Sequence, residues 1–501
     1  MSDHSNQDLF AAIDLGSNSF HMIIAREVHG QMQVIDKHKE MVRLRSGLDK
    51  KGKLTEKAFK DGIACLERFG QRIKDIPSKN VRAVGTNTLR NARNSREFLS
   101  QAKATLGHSI QIISGQEEAR LIYLGVSREL PNSNEQRLVM DIGGGSTEFI
   151  IGQGFSHSHL TSTEMGCVSI SQDFFPKNKI SEENFNESIV RCRQILRPHR
   201  RTLQKKDWEI AIGASGSIKS IGHILELNGW SESGITLQGM ILLSKELIQA
   251  GSMKNLKLAG LKEERRPVLV GGLAVLMAAF LELNIEHMQV SSNALREGLI
   301  LDTLGRLNAE DVREVSVKAM QKWMKVDTEQ AGLVARTAKS LFKQSHNLWS
   351  LHANSFDLQC LLKWACMLHE IGISISFKKS RHHGAYMIAH SDLVGFNQQE
   401  KLIMAALVLN QRGKYDNTIF DDLDESVKEL MPYLSLILRL SVRIHRGRDM
   451  ENVDPILRIE NHTELHLTFD DNWLEEHPLT RMDLLSETDK IEKMGFSLNI
   501  R

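Results

Sequence analysis

Residues 10–25 read FAAIDLGSNSFHMIIA, and residues 137–152 read RLVMDIGGGSTEFIIG. Each stretch passes from apolar residues through Asp-x-Gly to small residues ending in Ser, then returns to an apolar run. β-rich apolar flanks around a Gly/Ser/Asn turn predict strand, tight turn, strand. A duplicated unit sets the architecture of a chain. These two copies are too far apart for a solenoid and suitably spaced for two homologous domains. Helical patterns at Phe59–Phe69 and Glu117–Val126 lie between them, and strands alternating with helices make an α/β domain. Asp14 and Asp141 hold the same place in the two turns.

The 501 residues suggest three or four domains at about 100–200 residues each. The polar segment Ser127–Gln136, which contains a proline, marks a first boundary. Beyond residue 306 the pattern is almost purely helical. Asp327-Thr328-Glu329-Gln330 forms a helix-start signal, followed by Leu333, Val334, Thr337, Ala338, Leu341 and Phe342 at helical spacing. Near residue 451 the period becomes two: Leu465, Leu467 and Phe469 alternate with His466 and Thr468 after a turn-like NHTE, which predicts a small hairpin. The expected segments are 1–126, 127–306, 307–450 and 451–501.

With 41% hydrophobic and 25% charged residues the class is soluble and globular. The net charge of +2 supplies no long-range attraction, so a polyanionic substrate needs a local basic lining. Five scattered cysteines without CxxC spacing argue against a disulfide framework and for a reducing, cytoplasmic setting. MSDHSNQDLF does not read as a signal peptide. The longest apolar stretch, Val268–Leu281, is 14 residues with two glycines, and predicts a buried helix rather than a membrane span.

Phosphate binding needs several donors at short range. In Asp14-Leu-Gly-Ser-Asn-Ser19, Gly16 permits close backbone approach, while Ser17, Asn18 and Ser19 add side-chain donors. The second loop, Asp141 to Glu148, has Gly143, Gly144, Gly145 and Ser146 between two carboxylates. Each carboxylate could hold Mg²⁺ directly or through water. One Gly-rich turn is equally a plain hairpin turn; two matching loops with Asp at the same offset favour a site. Gly213-Ala-Ser215-Gly216-Ser217 follows the strand-like Trp208–Ile212 and has the form of a strand entering a helix, a natural anion site. Ser114 and Glu117 fit a capping box. Glu118 points about 100° away around the helix, which leaves it either a general base or a complement to the helix dipole. Arg90, in GTNTLR (85–90), could fork onto a phosphate or sit in a surface ion pair. The basic run Arg191–Lys206 could guide a polyanion or form a solvated helix face.

Together IDLGSNSFHM (13–22), GTNTLR, ISGQEEARLIYLGV (113–126), DIGGGSTEFIIG (141–152), MGCVS (165–169), GASGSIK (213–219) and ALREG (294–298) resemble the exopolyphosphatase and guanosine pentaphosphate phosphohydrolase family, within the superfamily of actin and the sugar kinases. LHEIG (368–372) and HSDLVGF (390–396) carry a weaker likeness onward. The resemblance implies two ribonuclease-H-like (actin-like) α/β domains with the active site between them. An all-α HD-like domain and a small C-terminal β-containing domain would follow. It implies Glu118 as the catalytic base, Asp141 and Glu148 as metal positions, and Mg²⁺ as cofactor. Asp14–Ser19, Gly143–Ser146, Ser215–Ser217 and Arg90 are the implied phosphate ligands. A homodimer is also implied. Two positions depart from the family pattern: Gly271-Gly272 stands for the usual Pro-Gly, and Ser292-Asn293 for the usual Asp-Gly, which could alter the floor of the cleft. The HD doublet reads His369-Glu370, and Thr337 stands where a ligand His would be expected, so His382, His383 and His390 read as ordinary core or surface histidines.

The expected activity is hydrolysis of the terminal phosphoanhydride bond of inorganic polyphosphate, releasing orthophosphate. The alternatives are a guanosine pentaphosphate (pppGpp) 5'-phosphohydrolase giving ppGpp, and a nucleotide-binding sensor without turnover. The GGGS loop and the closing residues 494–500 are more similar to exopolyphosphatases; parts of 281–287 and 366–377 are closer to the nucleotide enzymes. Nucleic acid is not an expected partner, and peripheral association with the inner face of the cell membrane is compatible with this reading.

Overall fold

Both Asp-x-Gly stretches fold into hairpins. Strand β1 (Leu9–Leu15) turns through Gly16–Ser19 into antiparallel β2 (Phe20–Val28), with Asp14 opposite His21, and β3 (Gln31–Glu40) pairs with β2. The chain returns through β4 (Val81–Gly85), parallel to β1, then short helix α1 (Asn87–Asn91), β5 (Ile110–Ile112) and helix α2 (Gly115–Ser127). The sheet order is β3-β2-β1-β4-β5. The computed structural model describes residues 9–28, 31–129, 135–204, 207–307, 311–353, 356–391, 393–449, 453–470 and 472–501. Part of the expected linker 127–136, Lys205-Lys206, Asp392 and the chain beside the expected boundaries at 307 and 451 lie outside these residues.

The second half repeats this plan. Strands β6 (Arg137–Ile142), β7 (Thr147–Gln153) and β8 (Ser156–Thr163) form the antiparallel part, with Asp141 opposite Glu148. Next come β9 (Ile210–Ala214), parallel to β6, helix α3 (Ser215–Leu227), β10 (Ile235–Thr236), helix α4 (Leu269–Leu283), β11 (His287–Val290) and helix α5 (Leu295–Leu307). The order β8-β7-β6-β9-β11 matches the first sheet strand for strand, with β10 added outside β11. Even the irregularity repeats: the register shifts between Ile24 and Ala25 in β2, and between Ile151 and Gly152 in β7. Such a bulge increases the local strand twist.

Strand alternation divides the cores. Ala11 and Ile13 of β1 face helices Glu56–Ile73 and Ser95–Leu106. Phe10 and Ala12 enter a second core that also takes Val139, Ile150 and Ile212 from the other sheet, Ala119 and Ile122 from α2, and Leu295 and Leu299 from α5. The two halves are therefore joined by a common apolar layer with α2 and α5 inside it. Each fully buried Leu or Ile there stabilises by about 1.5–3 kcal/mol. The helices cross at small residues: a Cβ on Gly125 would meet Ala294 O, and one on Gly298 would meet Leu121 O. Helix α5 was expected within the segment 127–306, yet it packs on α2 and β1 and completes the first half. Helix α4 is buried in the core of the second half, as its apolar sequence predicts.

Contacts divide the chain into Met1–Glu310 and Asp311–Arg501, a coarser division than the four expected segments. In the second unit Asp327 caps helix α6 (Thr328–Ser345), accepting from Gln330 N at 3.0 Å. Helices α7 (Leu358–Met367), α8 (Gln398–Asn410) and α9 (Met431–Ile444) follow. The expected C-terminal hairpin is β12 (Ile456–Glu460) and β13 (Glu464–Thr468), and β14 (Ser497–Ile500) adds a parallel third strand. Leu457, Leu465 and Leu467 share one core with Leu341, Leu361 and Ile437, so the strands are part of the helical body. His369 is buried with Nδ1 donating to Cys366 O at 2.6 Å, Thr337 Oγ1 is 2.7 Å from His445 Nε2, and His382 and His390 are exposed. Among the described residues no three His, Cys, Asp or Glu side chains cluster closely enough to hold a metal.

Candidate active site

The two hairpin turns meet. Gly144 lies against Ser17 and Asn18, where an added Cβ would be 2.8 Å from Ser17 Cβ and 3.3 Å from Asn18 N. Gly145 lies against Asn87 Oδ1, and Gly166 against the backbone of Gly144 and Gly145. Side chains at these three glycines would push the turns apart. The carbonyls of the turns are already taken: Arg45 N donates to Ser17 O and Arg43 N to Asn18 O, each at 2.8 Å, while Cys167 N donates to Gly143 O at 2.9 Å and Val168 N to Gly144 O at 3.0 Å. With these acceptors engaged, the turns are suited to an anion.

A cleft of about 320 Å³ opens over the turns. It is lined by Asp14, Gly16, Ser17, Asn18, Ser19, Glu118, Asp141, Gly143, Gly144 and Ser146, and by Ser215, Gly216 and Ser217 at the start of α3. Most of the residues singled out from the sequence thus converge. Ser215 holds φ at +79°, a backbone region that a non-glycine residue occupies only when its surroundings impose it. Gly216 leaves room for the guanidinium of Arg265.

Three expected residues do not line the cleft. Gly145 packs behind it, against Asn87. Glu148 is buried opposite Asp141 and accepts from Ser162 Oγ at 2.9 Å. Arg90, expected on the phosphate, donates to Ile113 O at 2.5 Å and stands 3.7 Å from Glu118 Oε2.

The wall opposite these carboxylates is basic, and sequence reasoning assigned none of it. Lys37 and Lys39 of β3, His21, His38, Lys219, Arg265 and Arg296 all line the cleft. His21, Lys219 and Arg296 lie inside the motif stretches 13–22, 213–219 and 294–298; their positions were in view but their role was not. For Lys37 and Lys39 the available signal was period-two alternation in DKHKE. Arg265 had none. The basic run from Arg191 lies elsewhere: Arg193 and Arg200 pair with Glu282 at 2.9 and 3.7 Å. The departures from the family pattern also fall outside the lining. Gly271 lets α4 approach helix Cys167–Phe174, and Ser292 O accepts from Lys219 Nζ at 2.5 Å.

Four carboxylates crowd this site. Burial pushes Asp141 up to about 6 against the pull of Lys219 and Arg296. Burial raises Asp14 to about 7, where Arg296 opposes and Asp141 and Glu297 add to the rise. Burial and then Asp141 raise Glu148 to about 8. Glu118 is raised well above the carboxylate range by burial and by Glu148, with Arg90 opposing. Asp14 Oδ1 and Glu118 Oε2 are buried without a hydrogen-bond partner. A buried carboxylate oxygen without a hydrogen bond is costly, and neighbouring carboxylates raise one another further.

Glu118 is held from behind. Ser114 Oγ caps α2 by accepting from Glu117 N at 3.1 Å, as the sequence predicts. The Glu117 carboxylate, expected to complete the cap, is bound by Arg120 through Nε at 2.9 Å and Nη2 at 2.8 Å. Arg120 also reaches Asp302 of α5 at 2.5 Å, and Asp302 pairs with Arg82 of β4. This buried network ties the first turn of α2 to both neighbours, and so fixes the backbone that carries Glu118.

Comparison with known proteins agrees with this architecture. An exopolyphosphatase from Cytophaga hutchinsonii is 25% identical, with a TM-score of 0.54 over 59% of this chain and 97% of that one. An exopolyphosphatase-like protein is 23% identical, with a TM-score of 0.53 over 60% of this chain and 99% of that one. The model of the Ppx/GppA phosphatase family matches residues 23–307, and that of Ppx/GppA phosphatase domain III matches 312–488. The first match alone spans more than half of the sequence, and the chain belongs to the Ppx/GppA phosphatase family.

Proposed function

We propose that this phosphatase is an exopolyphosphatase, which removes the terminal phosphoryl group of inorganic polyphosphate as orthophosphate. The observation that carries the reading is the Glu118 carboxylate, buried and without a hydrogen bond at Oε2 in a cleft with a basic wall. The turns at Gly16–Ser19 and Gly143–Ser146, with Ser215–Ser217, would hold the terminal phosphoryl oxygens. Lys37, Lys39, Lys219 and Arg265 would receive the rest of the polyanion, the local lining that a net charge of +2 requires. Glu118 would take a proton from a water as the water oxygen bonds to the terminal phosphorus and the bridging oxygen leaves. The chain then shortens by one phosphate. A carboxylate raised above its ordinary range is a stronger base than an exposed one.

Asp141 and Glu148 are the residues proposed for Mg²⁺. Asp141 and Glu148 face each other across β6 and β7, both are raised by burial, and Glu148 is raised further by Asp141. These two side chains would hold the ion, which when bound supplies positive charge against the phosphoryl oxygens.

A phosphate-release assay on long-chain polyphosphate, pppGpp and ATP tests the proposal. Polyphosphate should give the highest kcat/KM. A higher value on pppGpp would make the chain the nucleotide phosphohydrolase of this family, and release from none would leave a sensor.

A further inference from the structure

We propose that His21 is a positioning residue: with its tautomer set by Arg296, it fixes the Ser19 hydroxyl as a hydrogen-bond donor to the phosphoryl group. The inference rests on the phosphoanhydride reading above. Arg296 Nη1 lies 3.2 Å from His21 Nδ1, and His21 Nε2 lies 2.7 Å from Ser19 Oγ. A guanidinium has only donors, so Nδ1 must accept, and the ring proton sits on Nε2. Nε2–H then donates to Ser19 Oγ. A hydroxyl has a single proton; with a lone pair engaged by His21, that proton is free to turn to the cleft that Ser19 lines. A phosphoryl oxygen offers only acceptors, so the relay presents it with a donor. The other tautomer would draw the Ser19 proton to Nε2 and leave lone pairs facing the anion.

The ring is neutral for a physical reason. Burial, then the positive charges of Arg296, Lys39, Arg265 and Lys219, hold His21 well below the usual histidine range. The second hairpin shows the opposite polarity. Opposite Asp141 stands Glu148, an acceptor only, and Ser162 Oγ donates to it at 2.9 Å. A serine that donates to its neighbour has no proton left for a substrate; Ser19 keeps its own.

The test is a double-mutant cycle with an independent spectroscopic arm. Phosphate release from long-chain polyphosphate is measured for wild type, Ser19→Ala, His21→Ala and the double variant, with His21→Gln as rescue. A hydrogen bond to a charged group corresponds to roughly 10–100-fold in rate. Ser19→Ala and His21→Ala should each lower kcat by about that factor. In the Ser19→Ala background, loss of His21 should cost less than about 3-fold. His21→Gln, whose amide can both accept and donate, should recover most of the loss. An undiminished His21 effect without Ser19 overturns the relay. In ¹⁵N-histidine-labelled protein, two-bond ¹H–¹⁵N correlations should show the His21 proton on Nε2, with His21→Gln giving the assignment. A proton on Nδ1, or a cationic ring at neutral pH, overturns the proposal even where variants fold poorly. If wild type releases no phosphate from any phosphoanhydride, the functional reading fails by itself, and the NMR arm still judges the relay.

Discussion

The two hairpins share strand order, bulge position and an Asp at the end of the first strand, yet they differ in what stands across from that Asp. Across from Asp14 is a neutral histidine tied to Arg296; across from Asp141 is the buried Glu148. The same geometry thus places a neutral ring across from one Asp and a second carboxylate across from the other. A second asymmetry lies on the helices that follow. Glu117 of α2 and Glu297 of α5 occupy matching third positions, and the next residue is Glu118 in one helix and Gly298 in the other. Gly298 sits where the backbone of α2 leaves no space for a side chain. The duplicated fold therefore offers two places for a base and can fill only one.

The strongest test of that asymmetry is Glu118→Gln. Removing a general base costs about 10²–10⁴-fold in rate, so kcat should fall in that range in a phosphate-release assay. The variant should nevertheless fold, and without divalent ions it should melt at or above the wild-type temperature, because Gln replaces a carboxyl whose charged form burial and Glu148 disfavour. Near-normal turnover in a folded variant would remove Glu118 from its role.

Next in size is the contrast between the turns themselves. Glu148→Gln should raise the Mg²⁺ concentration for half-maximal activity by at least about 10-fold, the scale on which metal sites respond to altered partners. Asp14→Asn should leave that concentration within a factor of about 3 and raise KM for polyphosphate instead. Equal Mg²⁺ shifts for the two variants would erase the division of labour between the hairpins.

A pH series on metal-free protein sharpens the same point. Asp141, Asp14 and Glu148 titrate near 6, 7 and 8 when folded, against an ordinary carboxylate value near 4. Groups raised by folding contribute stability below their unfolded pKa and lose it as pH rises through the folded pKa. The melting temperature in chelator should therefore fall from about pH 5 to about pH 9, and Mg²⁺ should flatten the slope. A flat profile in chelator would mean that the carboxylates do not oppose folding. The first contribution to the slope should come from Asp141, and the last among these three from Glu148.

The fold was legible because its signal is local. An Asp-x-Gly turn between apolar strands shows in sixteen consecutive letters, and it occurs twice. Glu118 was legible because the cap at Ser114 separates it from Glu117. The basic wall was not, because its members arrive from β2, β3, α3, α5 and the loop holding Arg265, and no window contains them together. The surroundings of Arg90 were not legible either. Its type and position suit a phosphate, but the fold gives it a carbonyl at Ile113 and a carboxylate at Glu118. The small β-containing C-terminal region was legible from a change of period; that its apolar side joins the core of the helices was not.

The smallest expected effect separates the two basic regions. The run beginning at Arg191 is the denser in sequence, and local composition alone would place a polyanion there. Arg193 is half exposed, and its guanidinium is already matched to Glu282, with Arg200 close by. Glu282 itself is buried, so these contacts serve to compensate a buried carboxylate. Arg193→Ala should therefore lower stability, because buried Glu282 loses its nearer partner, yet change kcat/KM on polyphosphate by less than about 2-fold in the folded protein. Arg265→Ala, which alters a guanidinium lying on Gly216 in the cleft, should raise KM by roughly 10-fold, the scale of one charge-assisted hydrogen bond. The ratio between these two variants measures how far charge must converge in space, rather than accumulate along the chain, before it acts on a polyanion. A comparable loss from Arg193→Ala would mean that polyphosphate runs over the outer helix as well, and that the cleft is only the end of a longer track.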